Sequence, residues 1–200
     1  MTVDSTTVSV MSQEGTFVYS ASMPYERLPA PGRLGVLEAF LRSRNDVVDA
    51  RSLAAWLIRN NLIAAPTAIS DLDYRRAIEL REAFRDLAWH NNGGPPAPGA
   101  ASTIQNVARR AAITPIIHAD GTLDLRSTAT GIAGALGTMV EIGMASMLDG
   151  AWARVKACAA DDCRYVFYDH TRNHAGRWCE VAACGDIARM RAHRARRARR

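Results

Sequence analysis

The sequence predicts a mainly α-helical fold with a small β-hairpin, an α+β protein, followed by a small C-terminal module. Three observations support this prediction. Apolar residues recur at spacings of three and four over much of residues 34–88, which is typical of helices that bury one face. One alternating run, residues 113–127, has Asp-Gly at its centre and indicates a hairpin. All four cysteines of the 200-residue chain lie within residues 158–184.

Length and composition indicate an ordinary globular protein. A chain of 200 residues with 48% hydrophobic and 22% charged residues can bury one core and carry a small appendage. The opening residues, MTVDSTTVSVMSQEG, lack the cationic start and the apolar core of an export signal. We therefore expect a cytoplasmic location, where reducing conditions favour paired cysteines as metal ligands over disulfides.

Residues 1–30 are predicted to form an arm that precedes the helices. Two short alternating runs, TVSV and TFVYS, flank residues 13–15 and fit a hairpin. A loose arm is the alternative, because Pro24, Pro29 and Pro31 separate this segment from the residues that follow.

Residues 31–150 are predicted to form a helical domain that begins with three amphipathic helices. The first spans residues 33–44, and the second starts after Asp49, a suitable N-terminal cap. The third starts at Ser70, where Asp73 three residues later indicates a capping box. The apolar faces of the three helices consist of Leu34, Leu37, Phe40 and Leu41, of Leu53, Trp56, Leu57 and Asn60, and of Ala77, Leu80, Phe84, Leu87 and Ala88.

The rest of this domain is predicted as a loop, a short helix, the hairpin and a glycine-rich helix. Residues 90–100, HNNGGPPAPGA, indicate a flexible loop, and a short helix is expected from Ser102. In the hairpin, Asp120 and Gly121 occupy a turn that needs positive φ. Residues 129–148 carry one charge, Glu141, and are long enough to cross a bilayer. Their many small residues favour a buried core helix, so no membrane partner is expected.

Residues 151–200 are predicted to form a module held by a metal ion. Cys158 and Cys163, and again Cys179 and Cys184, are separated by four residues, so two turns can each offer a pair of thiolates. Four thiolates can surround Zn²⁺ tetrahedrally at about 2.3 Å, which leaves no position for a catalytic water. Iron and two disulfides are the alternatives. The module has few apolar side chains, which favours a structural metal over unaided folding.

The positive charge of the chain is concentrated at its C-terminus. The net charge is +5, and residues 187–200 hold seven Arg and no acidic residue. Such a segment is typical of a tail that binds a polyanion. As a helix, it would pack Ile187 and Met190 on the metal module and direct its Arg side chains outward. The expected nucleic-acid contacts are five of these Arg and four residues between the cysteine pairs: Arg189, Arg191, Arg194, Arg196, Arg197, Arg164, Arg172, Asn173 and Arg177.

The C-terminal module resembles the CGNR zinc fingers. The resemblance rests on WARVKAC at residues 152–158, CRYVFYDHTRN at 163–173 and GRWCEVAACG at 176–185. Where the motif that names the family has Asn and Arg, this chain has Asp186 and Ile187. Upstream, LEAFLRSRNDV, LAAWLIRNNLI, AIELREAFRDL, DGTLDL and LDGAW occur in the order typical of the ABATE domain, which precedes such fingers. The resemblance implies a bacterial transcriptional regulator linked with stress.

The sequence therefore predicts a zinc-binding, DNA-binding transcriptional regulator that is not an enzyme. Its N-terminal domain would act as a sensor or a dimerisation unit. The sequence allows a homodimer and a small-molecule effector, and it identifies no effector. The alternatives are an enzymatic or small-molecule-binding N-terminal domain, and a finger that binds RNA or protein. The chain lacks a nucleophile elbow, a phosphate loop and a HExxH motif. Glu141 could act as a general base, but the favoured interpretation is that it emerges at a helix surface or pairs with an Arg.

Overall fold

The computed structural model describes residues 9–12, 15–18, 27–160 and 162–198. The helices in these residues are α1 (Leu34–Arg42), α2 (Ala50–Arg59), α3 (Asp71–His90), α4 (Pro98–Arg110), α5 (Gly131–Leu148) and α6 (Asp186–Ala198). The strands are β1 (Ser9–Ser12), β2 (Gly15–Val18), β3 (Ile113–Ile117), β4 (Leu123–Ser127), β5 (Val155–Ala157) and β6 (Val166–Tyr168). A 3₁₀ turn covers Ala151–Arg154, and a π-helical turn covers Val181–Gly185.

The predicted fold class, mainly helical with small β elements, is confirmed. The strands of the described residues pair as antiparallel hairpins, β1 with β2, β3 with β4, and β5 with β6. The first of them is the hairpin alternative for the N-terminal arm, and the rest of residues 1–26 lies outside the described residues. The second is the predicted hairpin, with Gly121 at a φ of +82°. The third was not predicted.

The first two helices follow the sequence pattern closely. The Asp49 carboxylate accepts a hydrogen bond from the Ser52 N–H at 2.7 Å, and the Ser52 hydroxyl accepts from the Asp49 N–H at 2.9 Å. This reciprocal capping fixes the start of α2. Asn60, predicted on the apolar face of α2, instead follows the last turn, where its amide donates to the Trp56 carbonyl at 2.8 Å. The predicted apolar residues of both helices are otherwise buried.

The start of α3 was predicted correctly, whereas the start of α4 was not. Ser70 caps α3 by accepting from the Asp73 N–H at 3.1 Å. The helix α4 begins at Pro98, four residues before the predicted Ser102. Proline suits the first turn of a helix because its missing N–H would have no partner there and its φ is already helical. The loop between the two helices is correspondingly shorter than predicted.

The helix α5 is a core helix, as predicted. It is the only helix among the described residues that is long and apolar enough to cross a bilayer, and half of it is buried inside the protein. Its glycines allow close approach to other elements. A Cβ on Gly143 would lie 2.5 Å from the Phe84 ring, and one on Gly137 would lie 2.7 Å from the Ala111 Cβ. Larger side chains would therefore push α5 away from α3 and from the end of α4.

One hydrophobic core runs through the helical domain and into the C-terminal module. The same cluster of buried side chains contains Leu37 of α1, Phe84 of α3, Val155 of β5 and Val166 of β6. The strands β5 and β6 pack against α3 and α1. The predicted boundary at residue 150 therefore does not coincide with a gap in the core.

Candidate metal centre and nucleic-acid interface

The four cysteine sulfurs converge on one point. The Sγ atoms of Cys158, Cys163, Cys179 and Cys184 all lie within 4.8 Å of one another. The Cys163 and Cys179 sulfurs are 3.5 Å apart, and those of Cys179 and Cys184 are 3.6 Å apart. All four cysteines are free, so the structure does not contain the two-disulfide alternative. Sulfurs at this spacing form a cage for a single metal ion.

The first knuckle, residues 158–163, grows out of the β5–β6 hairpin. Cys158 follows β5 and is fully buried, and its N–H donates to the Tyr165 carbonyl at 2.8 Å. The chain then turns tightly, because the Cys163 N–H donates to the Ala160 carbonyl at 3.0 Å. The first pair of sulfurs is thus held by strands that belong to the core.

The second knuckle, residues 179–185, leads directly into α6. Its last residue, Gly185, is buried, and a Cβ there would lie 3.0 Å from the Trp178 ring. Arg27 fixes the other end by donating to the carbonyls of Cys179 at 2.6 Å and Trp178 at 2.9 Å, and its guanidinium lies 4.5 Å from the centre of the Phe167 ring. The second pair of sulfurs therefore depends on a residue 152 positions earlier in the chain.

The crowded sulfurs shift the pKa values of their thiols in opposite directions. Hydrogen bonds from Cys163 and Cys179 lower the pKa of the Cys158 thiol. Hydrogen bonding to Cys158 and Cys163 raises the pKa of Cys179, and burial raises the pKa of Cys184 to about 11. The pKa of one thiol is thus lowered, whereas the pKa values of two others are raised. Four thiolates at this spacing would repel one another, so they need a cation between them. A bound metal ion supplies this positive charge and deprotonates its thiol ligands.

A buried carboxylate joins the helical domain to the metal module. Glu38 of α1 is 1% exposed, accepts from the Ala30 N–H at 2.7 Å and the Tyr168 N–H at 2.8 Å, and pairs with Arg42. Arg42 also donates to the Val166 carbonyl at 2.9 Å. Burial raises the pKa of Glu38 although these partners oppose the shift. This role was not predicted, although the sequence indicates it, since Glu38 lies inside the apolar face of α1.

The end of α3 provides the second set of contacts with the module. Buried Arg85 donates to the Arg164 carbonyl at 2.9 Å and to the Leu41 carbonyl at 2.8 Å. The Asn92 amide donates to the carbonyls of Ala157 at 2.7 Å and Arg177 at 2.8 Å. The predicted flexible loop is thus attached to the module at its first residues. These roles were also missed, because the sequence does not reveal which carbonyls lie beside a helix end.

The predicted nucleic-acid contacts between the cysteine pairs fall into two groups. Arg164 faces the helical domain, where it pairs with Asp86 at 3.0 Å and lies 3.7 Å from the centre of the Trp89 ring. Arg172, Asn173 and Arg177 are exposed. The structure thus brings three of these four side chains to the surface. Arg164 instead belongs to the joint, the set of contacts by which Glu38, Arg42, Arg85 and Arg164 connect the helical domain to the module.

The helix α6 carries the remaining predicted contacts and has no buried residue. Arg189 pairs with Asp186, and Arg191 pairs with Asp162 of the first knuckle at 2.8 Å. The other three, Arg194, Arg196 and Arg197, are exposed. The prediction that Ile187 and Met190 pack on the module is wrong, because they are 44% and 53% exposed. The helix leaves the module after Gly185 and presents both faces to solvent.

Glu141, the lone charge of α5, does not line an open site. Its carboxylate accepts from Arg33 at 3.3 Å and from the Ser127 N–H. Of the two favoured interpretations, pairing with an Arg is confirmed, and a position at the helix surface is wrong because Glu141 is buried. Both carboxylate oxygens serve to hold the segment before α1 and the end of β4 against α5.

Two family models match the chain, and together they cover it from residue 24 to residue 197. The model of the ABATE domain, described as "Putative stress-induced transcription regulator", matches residues 24–162, more than half of the chain. The chain belongs to the ABATE family. The CGNR zinc finger matches residues 154–197 and includes all four cysteines. No curated protein matches the sequence. The ABATE match extends into the first knuckle, in agreement with the core that continues through β5 and β6.

Proposed function

We propose that this ABATE-family protein is a zinc-dependent, DNA-binding transcriptional regulator. The observation that supports the proposal most strongly is the convergence of four cysteine sulfurs directly before an exposed basic helix. The family description, a regulator of transcription, points to the same role. The protein is proposed as a binding protein without enzymatic activity, acting in the cytoplasm.

Zinc is the proposed occupant of the sulfur cage. Four sulfurs at about 2.3 Å from Zn²⁺ would lie about 3.8 Å from one another. The separations of 3.5 and 3.6 Å, with all pairs within 4.8 Å, fit this arrangement after small adjustments. The ion would link the first knuckle to the second, and so hold α6 to the core. With four thiolate ligands it would have a structural role.

DNA is the proposed partner of α6 and of the exposed loop between the knuckles. No acidic residue of α6 follows Asp186, and its Arg side chains face solvent in several directions, which suits contact with phosphates. Neutralising about six phosphates would lower the affinity roughly a thousandfold between 50 and 200 mM salt. This steep dependence distinguishes DNA contact from binding to an uncharged partner.

The helical domain is proposed as a sensor or a dimerisation unit. Support for a sensor comes from an open groove of about 330 Å³ between α3, α4 and α5, lined mainly by polar and charged side chains such as Arg76, Glu79 and Arg110. A groove of this size can hold a small molecule. The joint at Glu38 and Arg85 would transmit its occupancy to the module, since these residues contact both parts of the protein.

The decisive experiment offers the purified protein a pool of random DNA duplexes and a pool of structured RNAs, with and without a zinc chelator. We expect enrichment of one short duplex sequence, and loss of that enrichment after chelation. A palindromic sequence would indicate a homodimer. Enrichment of RNA alone, or duplex binding that chelation leaves unchanged, would contradict the proposal.

A further inference from the structure

A buried ion pair organises the loop between β6 and the second knuckle, residues 169–176. Lys156 of β5 and Asp169 are 5% and 0% exposed, and the Lys156 Nζ donates to the Asp169 carboxylate at 2.8 Å. Burying two charges is costly unless their remaining hydrogen-bonding groups also find partners. Here they do, and the partners are atoms of the loop itself.

The hydrogen bonds of this pair close the loop from inside. One Asp169 oxygen accepts from the Thr171 N–H at 3.0 Å and the Thr171 hydroxyl at 2.6 Å, and the other accepts from the Gly176 N–H at 2.8 Å. The Lys156 Nζ also donates to the carbonyls of His174 at 2.5 Å and Gly176 at 3.1 Å. A Cβ on Gly176 would lie 2.8 Å from an Asp169 oxygen, so a larger residue does not fit.

The tip of this rigid loop presents side chains to solvent. Arg172 and Asn173 are exposed, and no hydrogen bond or ion pair joins either side chain to another part of the chain that the structure describes. A loop of eight residues is thus held in one shape by buried charges, and the Arg172 and Asn173 side chains take no part in holding it. Rigid presentation of unpartnered polar groups lowers the entropic cost of binding.

We infer that the tip of the 169–176 loop reads bases of duplex DNA, whereas α6 contacts phosphates. The inference rests on the proposed function. An Asn side chain can bond an adenine, and an Arg a guanine, through two hydrogen bonds each in the major groove. The Arg-rich helix, exposed on both faces, has the character of an element that binds phosphates without regard to sequence. Sequence preference therefore depends on Arg172 and Asn173.

Thr171 is the positioning residue of this loop. Its hydroxyl donates to Asp169 and accepts from the Ala175 N–H at 3.2 Å, so it links both sides of the tip. Thr171 lies at the surface, and it bonds the Asp169 oxygen that does not face Lys156. A change at Thr171 thus tests the shape of the loop without removing any group that would touch a base.

The experiment compares affinities for the selected duplex and for a scrambled duplex, at several salt concentrations. We expect Asn173→Ala and Arg172→Ala each to lower the ratio of the two affinities about 5- to 150-fold, the range for a lost bidentate contact. Arg196→Ala should weaken binding to both duplexes equally and reduce the salt slope by about 0.9. Thr171→Val should lower the ratio, whereas Thr171→Ser, which keeps the hydroxyl, should retain the wild-type ratio, and the zinc content of both variants should be unchanged.

The possible failures are distinguishable. If the wild type prefers the selected duplex and both tip variants keep that preference, the tip does not read bases. This inference is then overturned, and the proposed function stands. If Thr171→Ser fails to retain the wild-type ratio, the positioning role is overturned. If the wild type binds both duplexes equally or neither, the proposed function and the inference are both overturned.

Discussion

The two knuckles of the metal centre differ in how they are attached to the protein. The first connects the two buried strands of a hairpin, and Glu38, Arg42 and Arg85 bond the backbone beside it. The second is held by Arg27 and continues as α6, which has no buried residue. The first knuckle is therefore part of the helical domain, and the second carries the surface available to a partner. Fold stability and partner binding should respond to different substitutions.

Metal removal should have the largest effect, because it separates the two knuckles. Structural zinc contributes on the order of 10 kcal/mol in zinc-finger peptides, comparable with the whole stability of a domain. Since β5 and β6 share the core of the helices, we expect chelation to lower the melting temperature of the helical domain as well. Circular dichroism of the full chain with chelator, and again after zinc is restored, measures this. A helical signal that melts at the same temperature in both samples would contradict the shared core.

Substitution of Glu38 should break the joint on the side of the first knuckle. Glu38→Gln keeps the shape of the side chain but leaves Arg42 without its buried partner, so we expect a loss of about 3–5 kcal/mol in the free energy of unfolding. Glu79→Gln, on the exposed side of α3, is the control and should change it by less than about 0.5 kcal/mol. Urea unfolding measures both. Equal effects of the two substitutions would show that the joint does not stabilise the fold.

Substitution of Asp169 should have a comparable effect that depends on pH. Burial alone would raise the pKa of Asp169, but hydrogen bonds from Lys156, Thr171 and Gly176 lower it below its ordinary value of 3.8. A lowered folded-state pKa stabilises the protein above pH 3.8, and this contribution is lost as the pH falls below that value. We therefore expect Asp169→Asn to cost about 3–5 kcal/mol at pH 7 and progressively less in acid.

The control for this pH dependence is Asp46→Asn, at an exposed position before α2. Urea unfolding of the three proteins between pH 7 and pH 3 gives the differences directly. A difference between the wild type and Asp169→Asn that stays constant, or grows, toward acid pH would contradict the role of the ionised carboxylate.

Substitutions in α6 should have the smallest effect on stability and a clear effect on DNA. The double variant Arg196→Ala, Arg197→Ala removes exposed side chains, so unfolding should change by less than about 0.5 kcal/mol. The slope of log affinity against log salt should become shallower by about 1.8 if each Arg contacts one phosphate. Arg75→Ala, exposed on α3, should leave this slope unchanged. A slope that the double variant also leaves unchanged would remove α6 from the interface.

The sequence predicted those parts of the fold that depend on neighbouring residues. The apolar faces of α1 and α3, the caps at Asp49 and Ser70, and the hairpin turn at Gly121 each follow from residues a few positions apart. The hairpin of β5 and β6 was missed because its strands have three residues each, and their burial depends on contacts with α1 and α3.

The metal ligands of the candidate site could be predicted from the sequence, whereas the residues that hold the two knuckles in place could not. Equal spacing within two cysteine pairs is a local pattern, and the structure brings all four sulfurs together. Arg27 contacts Cys179, 152 positions later, and Asn92 contacts Ala157, 65 positions later. No pattern within one sequence indicates such a pairing. The error at Ile187 and Met190 has a related cause, since two apolar residues do not determine which surface a helix packs against.

The central claim is that four thiolates hold one metal ion between the two knuckles. Elemental analysis of the purified, untagged protein, with the chain concentration determined on the same sample, tests it most directly. We predict one zinc per chain, lost when any one of the four cysteines is replaced by Ser. A wild-type protein that is folded and contains no bound transition metal would contradict the account.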